Sequence, residues 1–393
     1  MSNILRCLIL SDLHAIEGGK HEDDSYLSYS DGKCEYSDEF LKYVQSLNKE
    51  ISVLICPGDI GNKADEESFS MGLSFLHEVK TSLKIKNILM IPGNHDYNSM
   101  DEDALDPKSY IQFVEPSFPT SMHDSNTHFW AWHWSHIKND EFNAIILDTS
   151  AYHGFNKHEF EHGRVLHKTS DKIIEYINSD EYPERELNFL ICHHNPYRIE
   201  VIQNEVDNEI IDGGEYLLNN IANCLKGTWM VIHGHRHLPH IAYSNSGTSE
   251  PVVVFSAGTM SAKLPIKYSD YAQNQFYIFE IDISKSKKRG IPVGVYEAYE
   301  YAPISGWIPS TAERFPYKGG FGSNMTPHEL SEEILEIIKV KRILRNEDLG
   351  KVLEHLKYFM PNDIVKLEEI LKKEKVYFVK NGLSVEEIVL NDE

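Results

Sequence analysis

Asp12 with His14, Asp59 after Gly58, Asn94-His95-Asp96, His193-His194 and His235-Arg236-His237 are small clusters of carboxylate, amide and imidazole side chains spread along 393 residues. Singly, each has a plain explanation: a strand-end loop, a turn with a capping carboxylate, or a satisfied histidine pair. Together they agree in chemistry. Carboxylate oxygen, amide oxygen and imidazole nitrogen suit divalent first-row metals, and the sequence offers no cysteine cluster for a structural zinc cage. The alternating histidines 235 and 237 point two imidazoles from one compact turn.

Such a set works only if the fold gathers it. Each cluster closes a short apolar run: ILRCLILSDLH (4–14), VLICPGDIGN (53–62), NILMIPGNHD (87–96), LNFLICHHNP (187–196) and TWMVIHGHRH (228–237). FNAIILDTS (142–150) has the same form. Their apolar character is continuous rather than alternating, which predicts strands covered on both faces. Helices are expected over 37–49, 66–83, 169–180 and 215–226. Strands alternating with helices predict an α/β fold whose ligands gather at the carboxyl ends of the strands, where the clusters lie. The runs 251–259, 274–284 and 292–301 follow one another without a helix, which favours antiparallel pairing and a mixed or two-sheet core.

We therefore expect one large domain over residues 1–305. The Gly- and Pro-rich stretch that follows reads as a linker, placed at 306–325. Thr326, Pro327 and Glu329 form an N-cap, a first-turn proline and a capping box, which open a mainly helical module over 326–393. Residues 17–39 form an acidic, turn-rich insertion.

The formal net charge of -23 opposes a broad nucleic-acid or anionic-membrane surface, yet a small anion held by metal ions is compatible with it. No run approaches the roughly 18 to 20 apolar residues of a membrane span. Cys7, Cys34, Cys56, Cys192 and Cys224 form no CxxC pair, which predicts reduced thiols and a cytoplasmic location.

The series SDLH, GDIGN, GNHD, HHNP and GHRH, over roughly residues 4–260, resembles the calcineurin-like metallophosphoesterases. The resemblance implies two mixed β-sheets packed as a sandwich and flanked by helices. It implies that Asp12, His14 and His237 hold one metal, that Asp59 bridges, and that Asn94, His193 and His235 hold a second, with His194 as the rival of His193. It also implies that His95 contacts phosphate or protonates the leaving group, and Asp96 is expected to set the tautomer of His95. Two cations, with manganese favoured over iron, zinc, nickel or cobalt, would bind a phosphate ester, a nucleotide among the candidates, and hydrolyse a phosphomonoester or phosphodiester through a metal-bound hydroxide.

Two other readings stay open at this point. One is a DNA exonuclease or nuclease subunit of the same superfamily, which the acidity disfavours. The other is a non-catalytic interaction protein that docks a partner through its C-terminal helices. Arg236 reads equally as a phosphate contact or a solvated turn residue. HFWAWHWSH (128–136) alternates aromatic residues and His as a half-buried strand would, and most of His153, His158, His162 and His167 are expected at the surface.

Overall fold

The computed structural model describes every residue except 1–2, 22, 100–104, 156–158, 160–161, 199, 203–204, 207–208, 225, 245–250, 265–271, 382–383 and 392–393. Two large sheets are built from β1 (Ile4–Ile9), β2 (Val53–Cys56), β3 (Asn87–Met90), β4 (Trp134–Lys138), β5 (Asn143–Leu147), β6 (Leu187–Ile191), β7 (Thr228–His233), β8 (His240–Tyr243), β9 (Val253–Ser256), β10 (Gln275–Asp282), β11 (Gly294–Ala302), β12 (Gly306–Pro309) and β13 (Lys318–Phe321). The first sheet has the order β12-β11-β10-β1-β2-β3, with β13 also paired to β11, and the second has the order β8-β9-β7-β6-β5-β4. Strands β1, β2 and β3 run parallel. So do β5, β6, β7 and β9, while β10, β8 and β4 join antiparallel. Both sheets are mixed, as the resemblance implies.

The continuous apolar runs now have a cause. Along β1, Leu5, Cys7 and Ile9 enter one buried core with Ile146, Phe189 and Phe255 of the second sheet. The alternate residue Leu8 packs instead with Phe40 of helix α1 (Glu35–Ser46) and Phe69 of α2 (Glu66–Ser82). Helix α3 (His123–Trp132) precedes β4. On the outer side of the second sheet, Ile145, Leu190 and Val231 pack with Ile173 of α4 (His167–Asn178) and Ile221 of α5 (Gly214–Ala222). Each strand thus needs apolar residues at both parities, because one face meets the opposite sheet and the other meets helices.

Two expectations are corrected. The aromatic segment 128–136 is not one strand: α3 runs through Trp132, His133 takes a left-handed φ of 65° and bonds back to Phe129, and β4 starts at Trp134. Burial of Phe129, outside the alternating set, decides for the helix. Residues 306–325 are not a linker either, since β12 and β13 both pair with β11. Gly319 and Gly320 serve close packing, because a Cβ at Gly319 would strike the Tyr296 hydroxyl and one at Gly320 the carbonyl of Lys357.

Helix α6 (Pro327–Lys341) opens with the expected capping box at Thr326 and Glu329. It packs with α7 (Asn346–Leu356), α8 (Pro361–Lys373) and a three-stranded sheet of Ile343–Leu344, Val376–Asn381 and Ser384–Leu390 around a separate core of Leu330, Ile334, Leu367 and Ile388. The module thus sets one small antiparallel sheet beside its three helices. Among the described residues no helix is long and apolar enough to cross a membrane, and all five cysteines are free and buried.

Phe255 joins the sheets, with its ring 5.0 Å from Tyr277 and 4.7 Å from Phe279 of β10. Phe255→Ala is expected to lower stability by about 3–5 kcal/mol in urea denaturation. A loss below about 1 kcal/mol would show that this face does not hold the sheets together.

Candidate metal centre

The parallel strands deliver their carboxyl ends to one rim. Asp12 and His14 follow β1, Asp59 follows β2, Asn94 opens a short 3-10 turn after β3, His193 follows β6, and His235 with His237 follows β7. Five of these residues hold left-handed backbones: φ is 51° at Asp12, 43° at His14, 52° at Asp59, 74° at His235 and 57° at His237. That conformation costs a non-glycine residue on the order of 1–3 kcal/mol and gathers where structure over-determines it. Here each such turn aims a polar side chain inward off the end of a strand. Gly93 is required by space rather than by conformation, since a Cβ there would collide with the Asp59 carboxylate.

One ligand atom each from Asp12, His14, Asp59 and His237 can be chosen so that all lie within 4.8 Å of one another. His14 Nε2 stands 3.2 Å from His237 Nε2 and 3.4 Å from Asp59 Oδ2. His237 Nε2 is 3.3 Å from Asp12 Oδ1. The same Asp59 oxygen is 3.3 Å from His193 Nε2, which is 2.9 Å from Asn94 Oδ1. Asn94 Oδ1 is in turn 3.0 Å from His235 Nδ1. All seven residues expected as ligands are therefore adjacent, and Asp59 Oδ2 lies between the two groups.

The donor set fits cations better than it fits itself. Two imidazole nitrogens facing each other can share at most one proton, and carboxylate and amide oxygens offer none. Ligand atoms about 2.0–2.2 Å from a common ion sit about 3.0–3.6 Å apart, the range of most of these separations. Burial drives His14 down to about 3, helped by the nearby His95, so its imidazole is the neutral, ligating form. Burial opposes charge on Asp59, but His193 and His95 outweigh it and hold the carboxyl well below its usual range.

The surrounding groups fix how the rings stand. Ser11 Oγ donates to Asp12 Oδ2, and His193 Nδ1 lies 2.8 Å from the carbonyl of Pro57. His194 turns the other way: its Nδ1 is 2.8 Å from Thr149 Oγ1 and its ring lies 4.3 Å from that of His235. His95 donates its backbone N–H to Asp59 Oδ1 at 2.8 Å, and its half-buried ring sits 4.6 Å from that of His14. Of the four histidines expected mostly at the surface, His153 is buried against His194, His162 is half-buried and His167 is exposed; His158 lies outside the described residues.

Asp96 does not orient His95. Its carboxylate accepts from the backbone amides of Gly61 at 2.7 Å, Gly93 at 2.8 Å and Ile60 at 3.1 Å, joining the loop after β2 to the loop after β3. Adjacency in sequence suggested a partnership that the turn breaks by sending the two side chains apart. Glu209 had no sequence signal at all. Its Oε2 lies 3.2 Å from His235 Nε2 and 2.8 Å from Arg236 Nη1, so Arg236 is an ion-paired residue.

Residues 5–243 match the sequence profile described as calcineurin-like phosphoesterase, more than half of the chain. The chain belongs to that family. Among solved structures, a dimetal phosphatase from Danio rerio is similar at 13% identity and a TM-score of 0.45, over 70% of this chain and 94% of that one. A purple acid phosphatase from yellow lupin (Lupinus luteus) aligns at 11% identity and a TM-score of 0.44, over 76% of this chain and 52% of that one. A calcineurin-like phosphoesterase from Bacillus subtilis aligns at 13% identity and 0.36, over 79% and 89%. No curated protein matches the chain.

Asp96→Asn puts an amide N–H₂ where a backbone N–H seeks an acceptor. It is expected to cost about 1–3 kcal/mol of stability in the metal-free protein, measured by urea denaturation. Unchanged stability together with a shifted pH profile of activity would return Asp96 to the role of orienting His95.

Proposed function

We propose that this phosphoesterase-family chain is a hydrolase of phosphate monoesters or diesters that holds two divalent cations. Asp12, His14 and His237 hold one, Asn94, His193 and His235 hold the other, and Asp59 is shared. The observation that carries this reading is the single oxygen, Asp59 Oδ2, at 3.4 Å from His14 Nε2 and 3.3 Å from His193 Nε2. Two cations so placed would supply charge neutralisation at phosphorus and an activated water. A donor set of oxygen and nitrogen without sulfur suits manganese, the cation to load first.

His95 is the catalytic side chain of this reading. Its backbone is tied to Asp59 Oδ1 and its ring stands beside His14, half-buried, so it can reach a bound ester from the edge of the ligand set. There the imidazole would pass a proton to the departing oxygen. The formal charge of -23 weighs against a long nucleic acid and for a small phosphate ester, for which nucleotides are suitable probes.

The test compares nitrophenyl phosphate with bis-nitrophenyl phosphate after chelation and manganese reloading. Chelated protein is expected to be inactive and reloaded protein active. His95→Ala should lower kcat by about 10²–10⁴-fold while keeping both metal ions by elemental analysis. Asp59→Ala should lose metal and activity together. Equal rates in chelated, reloaded and variant proteins would defeat the proposal.

A further inference from the structure

We propose that Glu209 is a positioning residue for the cation site of Asn94, His193 and His235, an inference that rests on the two-cation reading above. Its carboxylate stands 3.2 Å from His235 Nε2, a buried nitrogen that meets no other hydrogen-bond partner among the described residues; once the ring turns into line with it the carboxylate would take the Nε2–H and so present the Nδ1 lone pair to the cation.

A neutral imidazole carries one N–H and one lone pair. His235 Nδ1 faces Asn94 Oδ1 at 3.0 Å, so Nδ1 is the ligating atom and Nε2 must hold the proton. Glu209 Oε2 stands 3.2 Å from that Nε2, and the His235 side chain is only 11% exposed. His193 uses the opposite arrangement. Its Nδ1 is satisfied by the Pro57 carbonyl at 2.8 Å, which leaves Nε2 toward Asp59 and Asn94. One ring of the site is therefore set by backbone and the other by a side chain that can be changed.

Glu209 is held in place from several directions. The next residue, Ile210, forms a parallel bridge with Asn195, two residues beyond His193. Ile211 N donates to Asn195 O at 2.8 Å and Asp212 N donates to Gly163 O at 2.8 Å, while Arg164 pairs with the Asp212 carboxylate. Arg236 donates to the same Glu209 oxygen at 2.8 Å. The loop that carries one imidazole of the site thus anchors the acceptor for the other. Carboxylates that orient a ligating histidine are worth about 10–100-fold in metal affinity or activity.

Manganese titration of the full chain by calorimetry tests the assignment. Wild-type protein should show two sites. Glu209→Ala should weaken one of them about 10–100-fold and leave the other unchanged, whereas Glu209→Gln, which keeps an acceptor oxygen, should recover most of the loss. Long-range proton–nitrogen spectra of labelled histidine should show His235 as the Nε2–H tautomer in wild type and as a mixture in Glu209→Ala. Two sites of wild-type affinity and an unchanged tautomer in Glu209→Ala would overturn this inference alone. Wild-type protein that binds no manganese would overturn it together with the two-cation reading.

Discussion

The Asp59 carboxylate is the constraint on which the rest of the site depends. It is buried, and an ionised carboxylate taken out of water costs several kcal/mol unless charge and hydrogen bonds compensate. One oxygen accepts the backbone N–H of His95, and the other faces the imidazoles of His14 and His193. Every neighbouring strand end is arranged around that position. Gly93 lacks a side chain because the carboxylate occupies the space, and Asp96 ties the loop of Asp59 to the loop of Asn94 and His95 through three backbone amides.

Local strain and global packing oppose each other here. Left-handed turns at Asp12, His14, Asp59, His235 and His237 are unfavourable one by one, and an isolated peptide would not hold them. They persist because the strands before them are locked in two parallel arrays whose both faces are buried. The sandwich is what makes an array of inward-facing donors affordable, and a cation would repay it by replacing mutual repulsion with coordination.

Other groups touch the clustered side chains from behind. The Pro57 carbonyl behind His193, the Ser11 hydroxyl beside Asp12, Thr149 against His194 and Glu209 beside His235 each contact a ring or carboxylate at a defined atom. His193 and His194 show the effect most clearly, since neighbours in the chain are sent to different partners by the strand end that carries them. One faces Asp59 and Asn94, and the other packs with Thr149 and the His235 ring.

Much of this was legible in the residues themselves. Continuous apolar runs ending in Asp, Asn and His marked doubly covered strands and the rim where their polar ends meet, because burial on both faces leaves no other pattern. Short-range rules also placed the Thr326 capping box, which depends on four residues. What sequence could not decide were relations set by distant partners. The aromatic segment at 128–136 became a helix followed by a strand because burial of Phe129 outweighed an alternation of two, and the glycines at 319 and 320 served a sheet edge because other side chains and backbone needed their space. Asp96 turned from its neighbour to three amides, and Glu209 reached His235 across a bridge between Asn195 and Ile210. Residue type determined which chemistry was available; the direction of each side chain belonged to the tertiary structure, because a turn of one residue reverses where a side chain points.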